Sequence, residues 1–404
     1  MSNSNRNILF AAIFGILLGI VLKNFQDFVG YEHLVTFIDM VGQLFIKALK
    51  MILVPLVFFS IVVGISNLGS GKKSSKIWKS SLIYYFSTMA IAVVIALSMM
   101  NLVKPGQGLQ IDAWTENLTS APQTMTIFEF LQEFLLSLFA NPFESLASGN
   151  ILSIIIFSIF IGIAFNSKNE KMVFGKKIFE SFYEVILKIV HWIMIVAPLG
   201  IFALLVKLIE SQSLELFNKL GIFIFTVLVI ILIHGIIVLP LINYLFTKIN
   251  LSTLWKLGRP AFITAFATSS SSATLPITMT VANDDFKVQK PVSNFVLPLG
   301  ATINMDGTAM YEAAAALFIA NLVGMDLMLG QQIILFFIAM VASIGAPGIP
   351  SAGMVTMAMV LQVLGLPLEA LAILLPMDRL LDTFRTTINV EGDLVGSLIV
   401  NKLV

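Results

Sequence analysis

TSSSSATLPITM (268–279) is a serine-rich break in an apolar context, and SIGAPGIPSAG (343–353), about 75 residues later, is a Gly/Pro-rich one. Neither fits a plain membrane-spanning helix. Broken backbone at membrane depth survives only where protein or a water-filled cavity satisfies its amides and carbonyls. Each break alone could be a kink or a surface loop. Two corresponding breaks, each followed by a long helix, form the pattern expected of hairpins that dip into the membrane and return around a midplane binding site. The first is expected to enter from the cytoplasm and the second from outside.

The rest of the chain has the composition this reading needs. Of 404 residues, 58% are hydrophobic and 12% charged, and the mean hydropathy is +0.95. These values lie far from the balance of soluble domains and describe an integral membrane protein. A net charge of +1 gives no footprint for nucleic acid, and the absence of cysteine excludes disulfides, thiolate metal sites and cysteine nucleophiles. MSNSNRNILFAAIFGILLGIVLKNF, at the amino terminus, lacks a small-residue cleavage site and runs into further apolar segments. It reads as a first spanning helix with a cytoplasmic amino terminus.

Basic residues should collect on alternate, cytoplasmic loops. GKKSSKIWK (71–79), NSKNEKMVFGKK (166–177), TKINLSTLWKLGR (247–259) and DDFKVQK (284–290) are basic, whereas 107–125 and 207–219 are acidic or balanced. This alternation places six spanning helices before about residue 247. The third, fourth and fifth read as ordinary lipid-contacting scaffold.

Two further stretches carry polar chemistry. In GATINMDGTAMYEAAAALFIAN (300–321), Asn304, Asp306 and Thr308 are two residues apart with Gly307 among them. A regular helix would scatter those oxygens around its circumference, and local unwinding would gather them for a hard monovalent cation. A helix-capping Asp at a kink is the alternative. In MDRLLDTFRTTINVEGD (377–393), Asp378, Asp382, Arg385, Thr386, Asn389 and Asp393 form one polar stripe. At ~100° and ~1.5 Å per residue it spans an arc of roughly 100° and a length of about 22 Å. Charges this numerous in a membrane segment usually mark a substrate or ion path. Pairing of Asp382 with Arg385 would also neutralise them, but explains neither Asn389 nor the broken segments.

TSSSSATLP, NMDGTAMYEAAAALFIAN, GIPSAG and the DxxxDxxRTxxNVxGD pattern of 378–393 together resemble the dicarboxylate/amino acid:cation symporter family, which includes the glutamate transporters. The more variable front end agrees through VPLVFFSIVVGISNLG (54–69), YYFST (84–88) and NPFESLASGNILSIIIFSIFIGIA (141–164). The resemblance implies an all-α polytopic fold of eight transmembrane helices plus two re-entrant hairpins. Residues 1–247 would supply six helices, the third and sixth belonging to a transport domain. Residues 248–404 would form that domain's core: hairpin one, the broken seventh helix, hairpin two and the eighth helix. Three identical protomers would assemble in the lipid bilayer, each moving its transport domain like an elevator against a fixed scaffold.

The resemblance also implies residue roles. Arg385 would pair with the side-chain carboxylate of an acidic amino acid and Asp382 would hold its amino group. Asn389, Thr386, Thr308, Ser270 and Ser271 would complete the pocket, with Ile349, Pro350, Ala352 and Gly353 as its lid. Two to three sodium ions are implied. One would use Asp393, Asn389, Asn304 and Gly300; a second Thr302, Met305, Ser343 and Ile344; a third Tyr85, Thr88, Asn304 and Asp306. Met89 stands where a hydroxyl residue often accompanies the third site. Glu312 stands where vertebrate members carry the acid linked to proton co-transport. The family's additional arginine, at the position of Ser269 or of Thr383, is absent.

The expected function is therefore sodium-coupled symport of L-aspartate or L-glutamate. A neutral amino-acid carrier and a proton-coupled C4-dicarboxylate carrier are the alternatives; the former would lack Arg385 and the latter would not need Asp382. The expected location is a cell membrane, the inner membrane of a prokaryote, with both termini cytoplasmic. No enzyme is expected: nothing reads GxSxG, and His33, His191 and His234 lie outside the four motifs.

Overall fold

The computed structural model describes residues 3–24, 30–68, 75–108, 136, 138–148, 150–165, 170–211, 215–345 and 353–404, and contains helices and no strand among them. The front half comprises α1 (Asn3–Asn24), α2 (Tyr31–Leu68), α3 (Ser75–Val103), α4 (Ile151–Ala164), α5 (Glu170–Ser211) and α6 (Glu215–Leu232). From α6 the chain passes through a π-helical turn (Ile233–Val238) into α7 (Leu239–Thr247).

Among the described residues, three spans are long and apolar enough to cross a bilayer alone: Tyr31–Ser66, Lys76–Val103 and Asn218–Thr247. A fourth, Lys171–Ile193 with Ile195–Lys207, is bent by 47°. Pro198 explains the bend, because its ring clashes with the carbonyl of the residue four before it, where the break falls.

The serine stretch is a turn between two packed helices, as expected. Asn250 caps α8 (Leu251–Thr268), its side-chain oxygen accepting the Thr253 N–H at 2.8 Å. Ser269 then ends the helix in the left-handed region, at φ 51°, a conformation that costs a non-glycine residue about 1–2 kcal/mol. Ser270 is extended, and its hydroxyl accepts the Ala273 N–H at 3.1 Å to start α9 (Ser271–Thr280). The cluster thus stops one helix and caps the next. The π turn Val281–Asp285 that follows lies back against α8, so the pair is a hairpin.

α10 (Lys290–Ile303) and α11 (Asp306–Leu322) are two halves of one interrupted helix. Asn304 (φ −87°, ψ 76°) and Met305 (φ −108°, ψ 50°) leave helical geometry between them. The unwinding expected from NMDGT is present, and a mere kink is not what forms. α12 (Leu329–Gly345) and α13 (Gly353–Val363) pack on each other around the second break. The expected lid residues Ile349, Pro350 and Ala352 lie outside the described residues. α14 (Leu371–Leu403) is one continuous helix of 33 residues that carries the polar stripe, and all six of its stripe residues are buried.

Packing separates two groups. α1 and α2 lie along α5, and α4 lies along α2. α8, α10, α11 and α3 pack around α14. The third helix is therefore not ordinary scaffold. α3 buries Tyr84, Tyr85 and Thr88 against the interrupted helix and α14, the face that composition alone could not distinguish from lipid-facing surface.

The closest backbone approach in this group is at Gly307. A side-chain carbon there would run into the main chain of Arg385, and the Gly307 N–H donates to Asn389 Oδ1 at 2.8 Å. Replacing Gly307 by Ala is expected to cost about 1–3 kcal/mol through overpacking, read as a lowered Tm of the purified protein. An unchanged Tm would show that α11 and α14 are not in this register.

Candidate functional site

Arg385 is the largest fully buried side chain among the described residues, at 1% exposure. Its Nη2 donates to Asp378 Oδ1 at 2.6 Å and to Asp382 Oδ1 at 3.0 Å. The guanidinium carbon sits 4.0 Å from the centre of the Tyr311 ring, a cation–π geometry that α11 supplies from the opposite side. Nε and Nη1 have no hydrogen-bond partner among the described residues. A carbon placed on Gly353, the first residue of α13, would lie 3.4 Å from Nη1 and 3.7 Å from Nη2, so the outer end of the guanidinium faces the start of that helix.

Asp382 is tied to Arg385 and lies 3.7 Å from Arg379. Thr386 is buried on the same helix one residue on. Asn389, a turn further, spans to the interrupted helix, with its Nδ2 3.4 Å from Thr308 Oγ1 and 3.3 Å from Met305 Sδ. Ser270 and Ser271 are buried at the start of α9, which packs on α14. Those of the expected substrate residues that are described therefore lie where α9, the start of α13 and the unwound segment meet α14.

A second cluster lies further along α14. Asn304 Nδ2 donates to Asp393 Oδ1 at 3.0 Å, while Asn304 Oδ1 accepts from Thr88 Oγ1 at 3.4 Å. Thr88 also reaches Asp306 Oδ1 at 3.3 Å. Gly300 stands against the Asp393 carboxylate and the Tyr85 hydroxyl, too close for a side chain on it. The Tyr85 hydroxyl itself donates to the Val296 carbonyl at 2.7 Å. The first and third expected ion sets are thus one connected cluster sharing Asn304. The second set is less compact: Thr302 bonds within its own helix to Leu299, and Ser343 to Met340 and to Met89 Sδ at 3.1 Å. Ile344 is half-buried between the two main apolar clusters. Met89, where a hydroxyl was expected, is accordingly a neighbour of Ser343.

Neither Asp306 nor Asp393 has a lysine or arginine partner among the described residues, and both are buried. Two carboxylates within one hydrogen-bonded cluster and without a cation are costly in a low-dielectric interior. Carboxylate, amide, hydroxyl and carbonyl oxygens at one unwound helix suit a hard monovalent ion.

Three contacts escaped the sequence reading. His234 Nε2 lies 3.0 Å from Asp306 Oδ2, both groups fully buried. The π turn that presents His234 has a visible cause: Pro240 has no N–H to continue the ladder, and the Leu239 N–H bonds five residues back to the His234 carbonyl. A proline a turn and a half after a membrane histidine was the available signal. Thr356 donates a close hydrogen bond to Glu312 Oε1, leaving Oε2 without a partner among the described residues. Tyr311 beneath Arg385 had no signal beyond its place next to Glu312.

Comparison with known proteins agrees with this geometry. The family model described as sodium:dicarboxylate symporter family matches residues 5–403. Excitatory amino acid transporter 3 from Oryctolagus cuniculus is 34% identical over 97% of this chain and 84% of its own length. The human protein of that name is 35% identical over the same shares. A putative sodium-dependent excitatory amino acid transporter, glt-4, from Caenorhabditis elegans is 32% identical over 100% of this chain and 90% of its own length. A match running almost end to end, over helices that bury an oxygen cluster and an arginine on one strip, decides the assignment: this chain belongs to the sodium:dicarboxylate symporter family, whose members are membrane transporters and not enzymes.

Proposed function

We propose that this protein is a sodium-coupled symporter of acidic amino acids, L-aspartate or L-glutamate, in a cell membrane. The observation that carries the reading is the buried guanidinium of Arg385, whose Nη1 faces the start of α13 without a hydrogen-bond partner among the described residues while Nη2 is held by Asp378 and Asp382. A buried cation with an unpaired donor facing the proposed pocket suits a carboxylate. An acidic amino acid carries two negative groups and one positive. Arg385 takes the side-chain carboxylate, Asp382 the ammonium, and Asn389, Thr308, Thr386 and the start of α9 near Ser270 and Ser271 hold the main-chain carboxylate. Ile349, Pro350, Ala352 and Gly353 close over it.

Sodium is cargo in this scheme. Asp393, Asn304, Asn389 and Gly300 form one ion site, and Asp306, Asn304, Thr88 and Tyr85 another; Thr302, Met305, Ser343 and Ile344 are the candidate set for a further ion. Because Asn389 and Gly307 are bonded to each other between pocket and ion cluster, filling the ion sites orders the segment that the substrate needs. Glu312, bonded to Thr356 of the second hairpin, is the candidate proton carrier. The separate packing of α1, α2, α4 and α5 supports an elevator in which those helices are the scaffold, residues 248–404 with α3 and α6–α7 move, and eight transmembrane helices with two re-entrant hairpins make each protomer of a homotrimer. Both termini are then cytoplasmic.

Replacing Arg385 by Ser should abolish aspartate and glutamate binding and leave sodium-dependent binding of serine or alanine. The acidic substrate's second carboxylate would be buried unpaired, at roughly 3–5 kcal/mol or a factor of several hundred or more in affinity. Calorimetry on the intact mutant decides: retained tight aspartate binding, or loss of every ligand with the fold, counts against the assignment. Asp393→Asn should raise the sodium concentration needed for half-maximal aspartate binding by tenfold or more while Tm changes little; sodium-independent binding in the parent protein would defeat the coupling scheme. Glu312→Gln should flatten the pH dependence of uptake into proteoliposomes and keep sodium-dependent binding. A mutant profile superimposable on the parent's would remove Glu312 from proton movement.

A further inference from the structure

A cavity of about 300 Å³ lies outside the proposed substrate and ion sites, between α6 with its π turn, α8 and α14. Its walls are mostly apolar, Phe262, Phe384 and Ile388 among them, and Trp255 and Arg259 also line it. It opens outward past Ile263 and Phe266, which are exposed. One acid lines it. Glu391 is fully buried, and neither of its carboxylate oxygens has a hydrogen-bond partner among the described residues. The Trp255 indole approaches this carboxylate without reaching hydrogen-bonding geometry. Room for the carboxylate comes from the π turn, since a carbon on Gly235 would lie 3.2 Å from Glu391 Oε2.

The other acids buried in this half of the molecule are served. Asp378 and Asp382 have Arg385, Asp306 has His234 and Thr88, Asp393 has Asn304, and Glu312 has Thr356. Glu391 has a cavity instead. A buried carboxylate without a donor is among the costlier features a fold can carry, and the transport scheme above gives Glu391 no task.

We propose that this cleft binds a small apolar amine, whose hydrocarbon body fills the space between α8 and α14 and whose single ammonium bonds Glu391. The volume is at the small end of the range for small-molecule sites, and the combination of apolar walls with one placed polar group is their usual chemistry. The aromatic walls favour a cation over a neutral head. Arg259, exposed and in the lining, disfavours a second positive centre, so a monoamine fits and a diamine does not. A carboxylate of the same shape would meet Glu391 directly and is excluded.

The test uses the full chain in phosphatidylcholine nanodiscs, titrated calorimetrically with 1-aminoadamantane, 1-adamantanol and adamantane-1-carboxylate. Saturable binding of the amine, at least tenfold tighter than of the alcohol and with no binding of the acid, is expected. Glu391→Val should reduce amine affinity at least tenfold and leave sodium-dependent aspartate binding unchanged. Equal affinity for amine and alcohol, undiminished amine binding to the Val variant, or no saturable amine binding would each overturn the proposal. Should the variant not fold, the three-ligand comparison on the parent protein decides alone. Failure of aspartate transport in the parent would bear on the symport reading and not on this site.

Discussion

The hydrogen bonds that tie the unwound turn at Asn304 and Met305 to α14 are the constraint on which the rest of the site depends. An interrupted helix in a membrane protein leaves main-chain donors and acceptors that lipid cannot satisfy. Here the Gly307 N–H goes to Asn389 and the Asn304 main-chain N–H turns back to the Gly300 carbonyl, while the Asn304 side chain donates to Asp393 and accepts from Thr88. These bonds exist only because α14 approaches so closely that residue 307 can have no side chain. Polar stripe and unwound turn therefore require each other: without the turn Asn389 and Asp393 lose their partners, and without the stripe the turn would be an unsatisfied break.

The same logic bears on Arg385. Its bonds to Asp378 and Asp382 are what a purely structural ion cluster would show, and a buried ion pair is weak evidence of either stability or function. What distinguishes the two roles is the distribution of the contacts. Both acids bind a single nitrogen, Nη2, and Nη1 is turned towards Gly353 and α13. A cluster built only to neutralise the arginine would engage Nε and Nη1, because each buried donor left without a partner costs about 1–3 kcal/mol. Two acids on one nitrogen instead leave Nη1 available on the α13 side.

How much of this could be read from the sequence follows from the range of each signal. The serine break, the NMDGT unwinding and the stripe of α14 are local patterns in which residue type and spacing are the whole message, and all three are found where the sequence put them. The role of α3 was legible only through the family resemblance, and not from its composition or periodicity. YYFST is a single polar turn in an apolar helix, and its burial depends on α11 and α14 more than 200 residues away in sequence. Likewise nothing near His234 announces Asp306, 72 residues further on. Side chains that meet only through tertiary packing leave no periodicity to read, and a helix of Ile, Leu and Val looks the same whether it faces lipid or a buried acid.

The π turn of residues 233–238 adds a connection that neither end of the molecule suggests by itself. A π turn rotates the side chains that follow it relative to a regular α-helix, in which consecutive residues point about 100° apart. By inserting an extra residue per turn before Pro240, the chain aims His234 at Asp306 in the ion cluster and leaves Gly235 against Glu391 beside the apolar cleft.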